Sequence, residues 1–530
     1  MLMNKKDFAL YLGFILIVAS AFFLRLYQLD LRVFHHDEAA VGYFTYKLFN
    51  DGIYSYNPAF HGPFMYYATA GVFRLFGDSI YSARLLPALL GASMLFLLIP
   101  LRKYTGERGM VLAAFFFAFS PSFLYYSRFY REDIFISFFT LLAFVCAVKY
   151  AESYTENNSP VMRGFYLFVV GLSLASMAAL KENAYISIAL VVFFLFLLFI
   201  RERWYKGLIE KLRGHDKRAL ITVAEGFFLI MVFLIVFSLF YTGKALDLSG
   251  IWTAIEKAFS HWYEMHSIKR IGGPMYFYLP ILALYELPAL IFGFAGIAYY
   301  YKRNNLFMIF LIYWAMTNLI VYSYLQEKVP WLVLNPLLPL TIIAAAYLGE
   351  LMPRLKLNSR NGTAAVILIS MILFYFVHSS VFLNYYNYTN PAEPLIQAAQ
   401  PPQRFSELLG KISEVSSQYT NQSTEIQVTD DQMETQFLWY LRHYDNVKWR
   451  VKLDSELNAP LIVVHDTDGN ESEADIVQRR LRSDYDRLDS AKMSWYWFKP
   501  ADFTLDYLLY RKMNGQPGEY RVVLFYKPVS

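Results

Sequence analysis

The chain has 530 residues, of which 56% are hydrophobic and 19% aromatic, and its formal net charge is +5. With a positive mean hydropathy, this composition excludes an ordinary soluble domain and indicates a polytopic membrane protein. The charge is too small for this length to mark a nucleic-acid surface. The single cysteine, Cys146, excludes an internal disulfide and a cysteine-based zinc site.

The N-terminus reads Met-Leu-Met-Asn-Lys-Lys and then an apolar run. Its charge resembles that of a signal peptide, but the run ends in Arg25 without a small-residue cleavage site, so it reads as an uncleaved first span. Apolar runs of about 20 residues suffice to cross a bilayer as helices. The sequence predicts eleven: 8–27, 79–101, 109–127, 133–150, 164–180, 184–200, 219–241, 275–300, 306–324, 331–349 and 364–383. Only Lys181-Glu182-Asn183 separates the fifth from the sixth, which predicts a tight helical hairpin, and Pro280 and Pro288 break the eighth.

Lysine and arginine in the loops set the orientation. With the N-terminus in the cytoplasm, the cytoplasmic loops hold Arg102, Lys103 and Arg108, then a basic stretch from Arg201 to Arg218, then Lys302, Arg303, Arg354, Lys356 and Arg360. The opposite loops hold fewer, and an odd number of spans leaves residues 384–530 outside. The first outer loop, 28–78, is long and aromatic. Ala39–Phe49 reads as an amphipathic interfacial helix, and Tyr54, Tyr56, Phe60, Tyr66 and Tyr67 suit the headgroup region.

The tail differs. Residues 404–418 have helical periodicity, Glu425–Thr429, Val447–Leu453 and Pro460–His465 read as strands, and Asp475–Leu488 reads as a helix. The expected fold is an all-α polytopic membrane domain of about eleven spans over residues 1–389, a linker at 390–403 and a small extracytoplasmic α/β domain over 404–530.

Several constellations on the outer side carry chemistry. Asp37 and Glu38 follow the first span directly and are preceded by His35 and His36. Paired acids let one act as general base while the other orients a substrate or cation; otherwise they are two solvated loop acids. Arg131-Glu132-Asp133 lies between the third and fourth spans. Its arginine can pair with a phosphate and its acids can bind a cation, or the acids can simply favour a helix N-terminus. Glu327-Lys328-Val329-Pro330-Trp331 precedes the tenth span. Lys328 is a point charge for a phosphate and Trp331 a cover for a lipid chain or sugar face, or the pair is an interfacial anchor. The loop His261–His266, with Lys269-Arg270-Ile271-Gly272-Gly273-Pro274 after it, offers a basic turn whose N–H groups could wrap a phosphate. His61 either lines a groove or caps the next helix. Lys181 and Glu182 either pair with one another or face the site. Glu286, near the middle of the eighth span, is a functional candidate by depth or a partner for backbone freed by Pro288. No glycine-rich nucleotide fingerprint or P-loop is present, so a transferred sugar would come from a membrane-borne donor.

The order of these features resembles the C-type integral-membrane glycosyltransferase superfamily, in its protein O-mannosyltransferase and lipid A aminoarabinose transferase branch. It resembles more closely an archaeal family of flippase-activity-associated proteins of N-glycosylation. The resemblance is carried by His35–Gly42 (HHDEAAVG), Asn57–Tyr67 (NPAFHGPFMYY), Ser127–Asp133 (SRFYRED), Leu180–Ala184 (LKENA), Ile271–Tyr278 (IGGPMYFY), Glu327–Trp331 (EKVPW) and, in the tail, Trp495–Pro500 (WYWFKP). It implies inverting transfer of a sugar, as by a hexosyltransferase, from a polyprenyl or dolichyl phosphate to a glycan, lipid or protein acceptor on the outer face. It further implies Asp37 as general base with Glu38 positioning the acceptor or the base. Arg131, Lys328 and Arg270 would hold the lipid phosphate, and His36, His61, Glu132, Asp133, Lys181, Glu182, Glu327 and Trp331 would line the site. No cofactor is required, although a divalent cation could sit at Asp37, Glu38 and Asp133. Where the mannosyltransferases commonly carry a His-Pro-Pro-type turn this chain has His61-Gly62-Pro63, and the tail is not a β-trefoil. The alternatives are a flippase or flippase-associated protein for lipid-linked glycans, transfer of a whole oligosaccharide, and a non-catalytic assembly partner on the same scaffold.

Overall fold

In a bilayer every backbone N–H and C=O must be satisfied within its own segment, so the long apolar runs can only be helices. A computed structural model of the chain describes residues 5–156, 159–202, 217–267, 273–303, 305–325, 328–356, 358–396, 400–429, 434–467, 472–481, 484–490, 493–495, 502, 504–512 and 514–528. Its helices, in order, are α1 (Lys5–Leu26), α2 (His36–Asp51), α3 (Phe64–Phe76), α4 (Ile80–Ser93), α5 (Arg102–Phe119), α6 (Pro121–Ser127), α7 (Asp133–Thr155), α8 (Pro160–Ala178), α9 (Asn183–Arg201), α10 (Lys217–Thr242) and α11 (Leu248–Ser267). There follow α12 (Tyr278–Tyr285), α13 (Leu287–Tyr300), α14 (Leu306–Tyr324), α15 (Leu334–Leu351), α16 (Arg360–Val381), α17 (Phe405–Gln418), α18 (Glu434–Tyr440), α19 (Glu473–Arg480) and α20 (Leu505–Tyr510). The chain divides into two units: Met1–Tyr27, Ser55–Ala68 and Leu85–Val381 in one, and Gln28–Tyr54, Thr69–Arg84 and Phe382–Ser530 in the other.

The first unit is the helical bundle. At its centre runs α15, whose span is 89% buried and which packs against α5, α13 and α14. Its Ala344-Ala345-Ala346 run is fully buried, and such small side chains let neighbouring helices approach closely. Among the described residues nine helical stretches are long and apolar enough to span a membrane, with the bent pair α12–α13 a tenth. The sequence predicted eleven. The difference lies in 79–101 and 109–127, which run on as one stretch of 40 residues, Ile80–Phe119, broken at Gly106 (φ 74°) rather than by a polar loop. A glycine takes up that left-handed backbone without strain.

The eighth span is bent by 112° at Glu286, whose backbone leaves the helical region and is followed by Pro288. Glu286 is buried, and its Oε1 accepts from Ser120 Oγ (2.6 Å) and Ser122 N (3.0 Å). It therefore satisfies the start of α6 rather than backbone freed by Pro288. The predicted loop His261–His266 is the last part of α11, because Ile251, Ala254 and Ala258 form a buried stripe at helical spacing.

In the second unit the sheet strands are β1 (Ile426–Val428), β2 (Val447–Lys448), β3 (Leu461–Thr467), β4 (Asp486–Asp489), β5 (Met493–Trp495) and β6 (Gly518–Tyr526). Their order is β2-β1-β3-β6-β4, with β5 also on β6. β1 runs parallel to β2 and β3, and β6 antiparallel to β3, β4 and β5. Side-chain alternation sorts the sheet's two faces. Leu461, Val463, Val522 and Leu524 pack with α17, while Ile462, Val464, Val523 and Phe525 pack with α19. Two sequence readings are corrected here. The helix predicted over Asp475–Leu488 stops at Arg480, and Asp486–Asp489 is drawn into the sheet by the nine-residue β6, which had not been expected. The strand predicted over Val447–Leu453 ends at Lys448, close to the left-handed Arg450 (φ 55°). At the start of the stretch read as a linker, Glu393 Oε2 accepts from Arg511 Nε (3.0 Å), and Tyr507 donates to Ala392 O (2.6 Å).

Candidate functional site

The start of α2 carries the acidic pair. His35 is its N-cap: the imidazole Nδ1 accepts from Asp37 N (3.2 Å), and Glu38 Oε2 accepts from His35 N (3.0 Å). This reciprocal cap satisfies backbone donors at the helix start, where the dipole also favours negative charge. Burial holds His35 below the ordinary histidine range, against the opposing pull of Asp37 and Glu38. The ring is therefore neutral near pH 7, with its proton on Nε2.

The two acids have different surroundings. Glu38 is fully buried and gripped at both oxygens by Arg84, Nε to Oε1 at 2.8 Å and Nη2 to Oε2 at 2.7 Å, with Arg32 at 3.3 Å. Asp37 keeps a third of its side chain exposed, with Oδ2 3.9 Å from His35 Nδ1, and His36 is half-buried beside it. Glu38 thus fixes the turn, and Asp37 is the more exposed of the two. Arg84 escaped the sequence reading, although an arginine inside the apolar run 79–101 was the signal for it.

In the helical unit the other outer motifs meet. His61 ends a short 3-10 turn with φ 65°. Its Nδ1 lies 2.9 Å from Glu182 Oε2 and its Nε2 lies 3.2 Å from Arg131 Nη2. Gly62 permits this: a Cβ there would sit 2.2 Å from Ala179 O, and Gly62 N donates to Leu180 O (2.9 Å). The turn is thereby fastened to the segment that carries Lys181 and Glu182. Burial pushes the Glu182 carboxyl up, but the His61 imidazole and hydrogen bonds outweigh it and hold the acid below its ordinary value.

Arg131 and Lys181 both approach the Trp331 ring, at 4.2 and 5.5 Å from its centroid. Lys181 Nζ also donates to Asp133 Oδ1 (3.3 Å), and Glu132 lies 3.6 Å from Arg131 Nε. Lys181 and Glu182 therefore pair with other motifs, not with one another. Glu132 is 1% exposed, and neither of its oxygens, nor Asp133 Oδ2, has a hydrogen-bond donor among the described residues. A buried carboxylate in that condition is costly to hold and accepts readily from a hydroxyl or cation. The cluster thus combines two cations on an aromatic face with acceptor oxygens, a chemistry suited to a phosphorylated sugar.

Lys328 is differently engaged. It is buried and donates to the carbonyls of Tyr322 (3.1 Å), Ser323 and Leu325 (2.5 Å) at the end of α14, and burial lowers its affinity for a proton. Glu225, on α10, accepts from Arg163 (2.8 Å), Tyr150 (2.9 Å) and Tyr154. Arg270, Glu327 and residues 496–500 lie outside the described residues.

No group of three or more His, Cys, Asp or Glu side chains is gathered as metal ligands among the described residues. Of the carboxylates expected to hold a divalent cation, Glu38 has both oxygens engaged by arginine and backbone N–H groups. That donor set does not fit a cation at Glu38.

A family model described as dolichyl-phosphate-mannose-protein mannosyltransferase matches residues 47–249. No curated protein matches the sequence. Among solved structures, ArnT from Cupriavidus metallidurans in the apo state is similar at TM-score 0.59 and 13% identity, over 96% of this chain and 97% of that one. The same protein bound to undecaprenyl phosphate is similar at TM-score 0.53 and 15% identity, over the same shares. The Archaeoglobus fulgidus oligosaccharyltransferase in the apo form is similar at TM-score 0.57 and 13% identity, over 87% of this chain and 70% of that one. The chain has the fold of the C-type integral-membrane glycosyltransferases.

Proposed function

We propose that this chain is a membrane glycosyltransferase that moves a sugar from a polyprenyl- or dolichyl-phosphate carrier to a glycan, lipid or protein acceptor, with inversion at the anomeric carbon. The observation that carries the reading is the split between the two acids of α2: Glu38 is locked by two arginines while Asp37 stays accessible. One immobile acid beside one partly exposed acid is the arrangement a general base and its support require. The fold and the mannosyltransferase family match over residues 47–249 support the class.

In this reading the acceptor nucleophile passes its proton to Asp37 as it bonds to the anomeric carbon. The bond from that carbon to the phosphate oxygen breaks, and the carrier leaves as a phosphate monoester that needs no strong acid. Within the helical unit, Arg131 and Lys181 against the Trp331 ring supply cations suited to a phosphate. Glu132 and Asp133 accept from sugar hydroxyls. The N-terminus lies in the cytoplasm and the α/β domain outside, following the distribution of lysine and arginine, with the 40-residue stretch Ile80–Phe119 crossing twice about its break at Gly106.

The flippase alternative needs a polar path through the bilayer. Among the intramembrane acids, Glu286 is already occupied by the start of α6 and Glu225 by Arg163 and two tyrosines. The test is sugar transfer from a polyprenyl-phosphate donor in proteoliposomes, wild type against Asp37→Asn. Transfer by wild type that Asp37→Asn abolishes is expected. Equal transfer by both would remove Asp37 from the mechanism, and lipid scrambling without transfer by either would favour the transporter.

A further inference from the structure

The second unit fastens its helix α18 to the segment that leads into Asp37. Val33-Phe34-His35 lies outside any helix or strand, so its backbone polar groups need partners from elsewhere. Phe34 N donates to Tyr440 Oη (2.8 Å), Gln436 Nε2 donates to Phe34 O (2.5 Å), and Gln400 Nε2 donates to Val33 O (3.1 Å). These partners lie up to 406 residues away in sequence. Gln436 and Tyr440 stand on one face of α18, with Trp439 beside them.

Trp439 completes the attachment. It is 1% exposed and lies against the Phe34 ring, centroids 4.9 Å apart. A Cβ on Gly42 would come within 2.9 Å of Trp439 Cε3, so only glycine at this point of α2 admits the indole. Arg442 lies over the Trp439 ring at 3.6 Å and pairs with Asp78 at 2.7 Å, and His443 lies 3.0 Å from the same carboxylate. The indole thus touches both helix α2 and a half-buried ion pair.

We propose that α18 belongs to the transfer machinery, with Gln436, Trp439 and Tyr440 as positioning residues that set the place of Asp37 through Phe34 and Gly42. The inference rests on Asp37 being the general base. A stability role alone would not require α18 to hold both polar groups of the one residue preceding the N-cap. A base displaced by a fraction of an ångström loses reach to the proton it must take, while donor binding is untouched.

The experiment uses the full chain in proteoliposomes, with Tyr440→Phe, Trp439→Ala and the conservative Trp439→Phe. Transfer kinetics give kcat and donor KM, and hydrogen exchange of residues 33–42 gives local order. Tyr440→Phe and Trp439→Ala are expected to lower kcat about tenfold or more, with donor KM within about twofold. Both should speed exchange at 33–42, and Trp439→Phe should restore most of kcat. Unchanged kcat in Trp439→Ala would overturn the proposal. So would a loss of kcat matched by loss of folded protein, with normal exchange at 33–42 in what remains. Asp37→Asn separates the two readings, since it should abolish transfer and leave that exchange as in wild type. If wild type transfers no sugar, the transferase reading falls on its own, and unaltered exchange in the α18 variants would then overturn the positioning as well.

Discussion

Arg84 and Glu38, 46 positions apart, meet in a buried two-point ion pair with separations of 2.8 and 2.7 Å. Arg84 also donates to the carbonyls of Leu29 (3.1 Å) and Arg32 (2.7 Å), so one guanidinium ties the turn at 29–32 to the start of α2. Such a fork matches a carboxylate in a way that a lysine ammonium does not.

Removing one partner of this pair strands a buried charge. Arg84→Gln should destabilise the protein by about 3–5 kcal/mol, since the loss of one member of a buried pair leaves the other uncompensated. Thermal unfolding in detergent checks this, and an unchanged midpoint would mean that Arg32 alone suffices for Glu38.

The cation–aromatic cluster should act on the donor. Arg131→Lys keeps the charge but loses the planar contact with Trp331 and the approach to His61. It should raise donor KM about tenfold, the equivalent of ~1.4 kcal/mol of lost cation–aromatic and hydrogen-bond contact, with little change in stability. Titration of the polyprenyl-phosphate donor is the measurement. A KM equal to that of wild type would place the phosphate elsewhere.

Lys328 should behave as a helix cap. Lys328→Gln leaves three carbonyls at the end of α14 without their donor, at a cost of about 1–3 kcal/mol. Donor KM in the folded fraction should stay near that of wild type. A large rise in KM without loss of stability would return Lys328 to the phosphate.

The cap at His35 makes the start of α2 sensitive to pH. Its folded-state affinity for a proton is held below the ordinary histidine value of 6.5 by burial. Below pH 6.5 the unfolded chain therefore binds the extra proton and the folded chain does not, so stability falls as the pH drops through that window. A protonated imidazole also cannot accept from Asp37 N. His35→Asn supplies an acceptor that does not titrate, and its unfolding midpoint should be flatter than wild type between pH 7 and 5. Parallel profiles would mean that other groups set the acid limit.

The sequence by itself determined the membrane class, the helical runs and the loops that carry the chemistry, because a bilayer leaves an apolar run no structure but a helix and drives charge to its ends. His61, Arg131, Lys181, Glu182 and Trp331 could be singled out one motif at a time for that reason. What they touch was decided only by the tertiary structure. Whether Lys181 pairs with Glu182 or Asp133, whether Lys328 meets a phosphate or three carbonyls, and which acid of Asp37-Glu38 stays accessible all depend on side chains brought together from distant segments. The same holds for Asp486–Asp489, where a local helical preference yielded to pairing with β6, and for Trp439 against Gly42. Local periodicity records which face of an element is apolar, but it carries no information about which distant group will satisfy a buried charge.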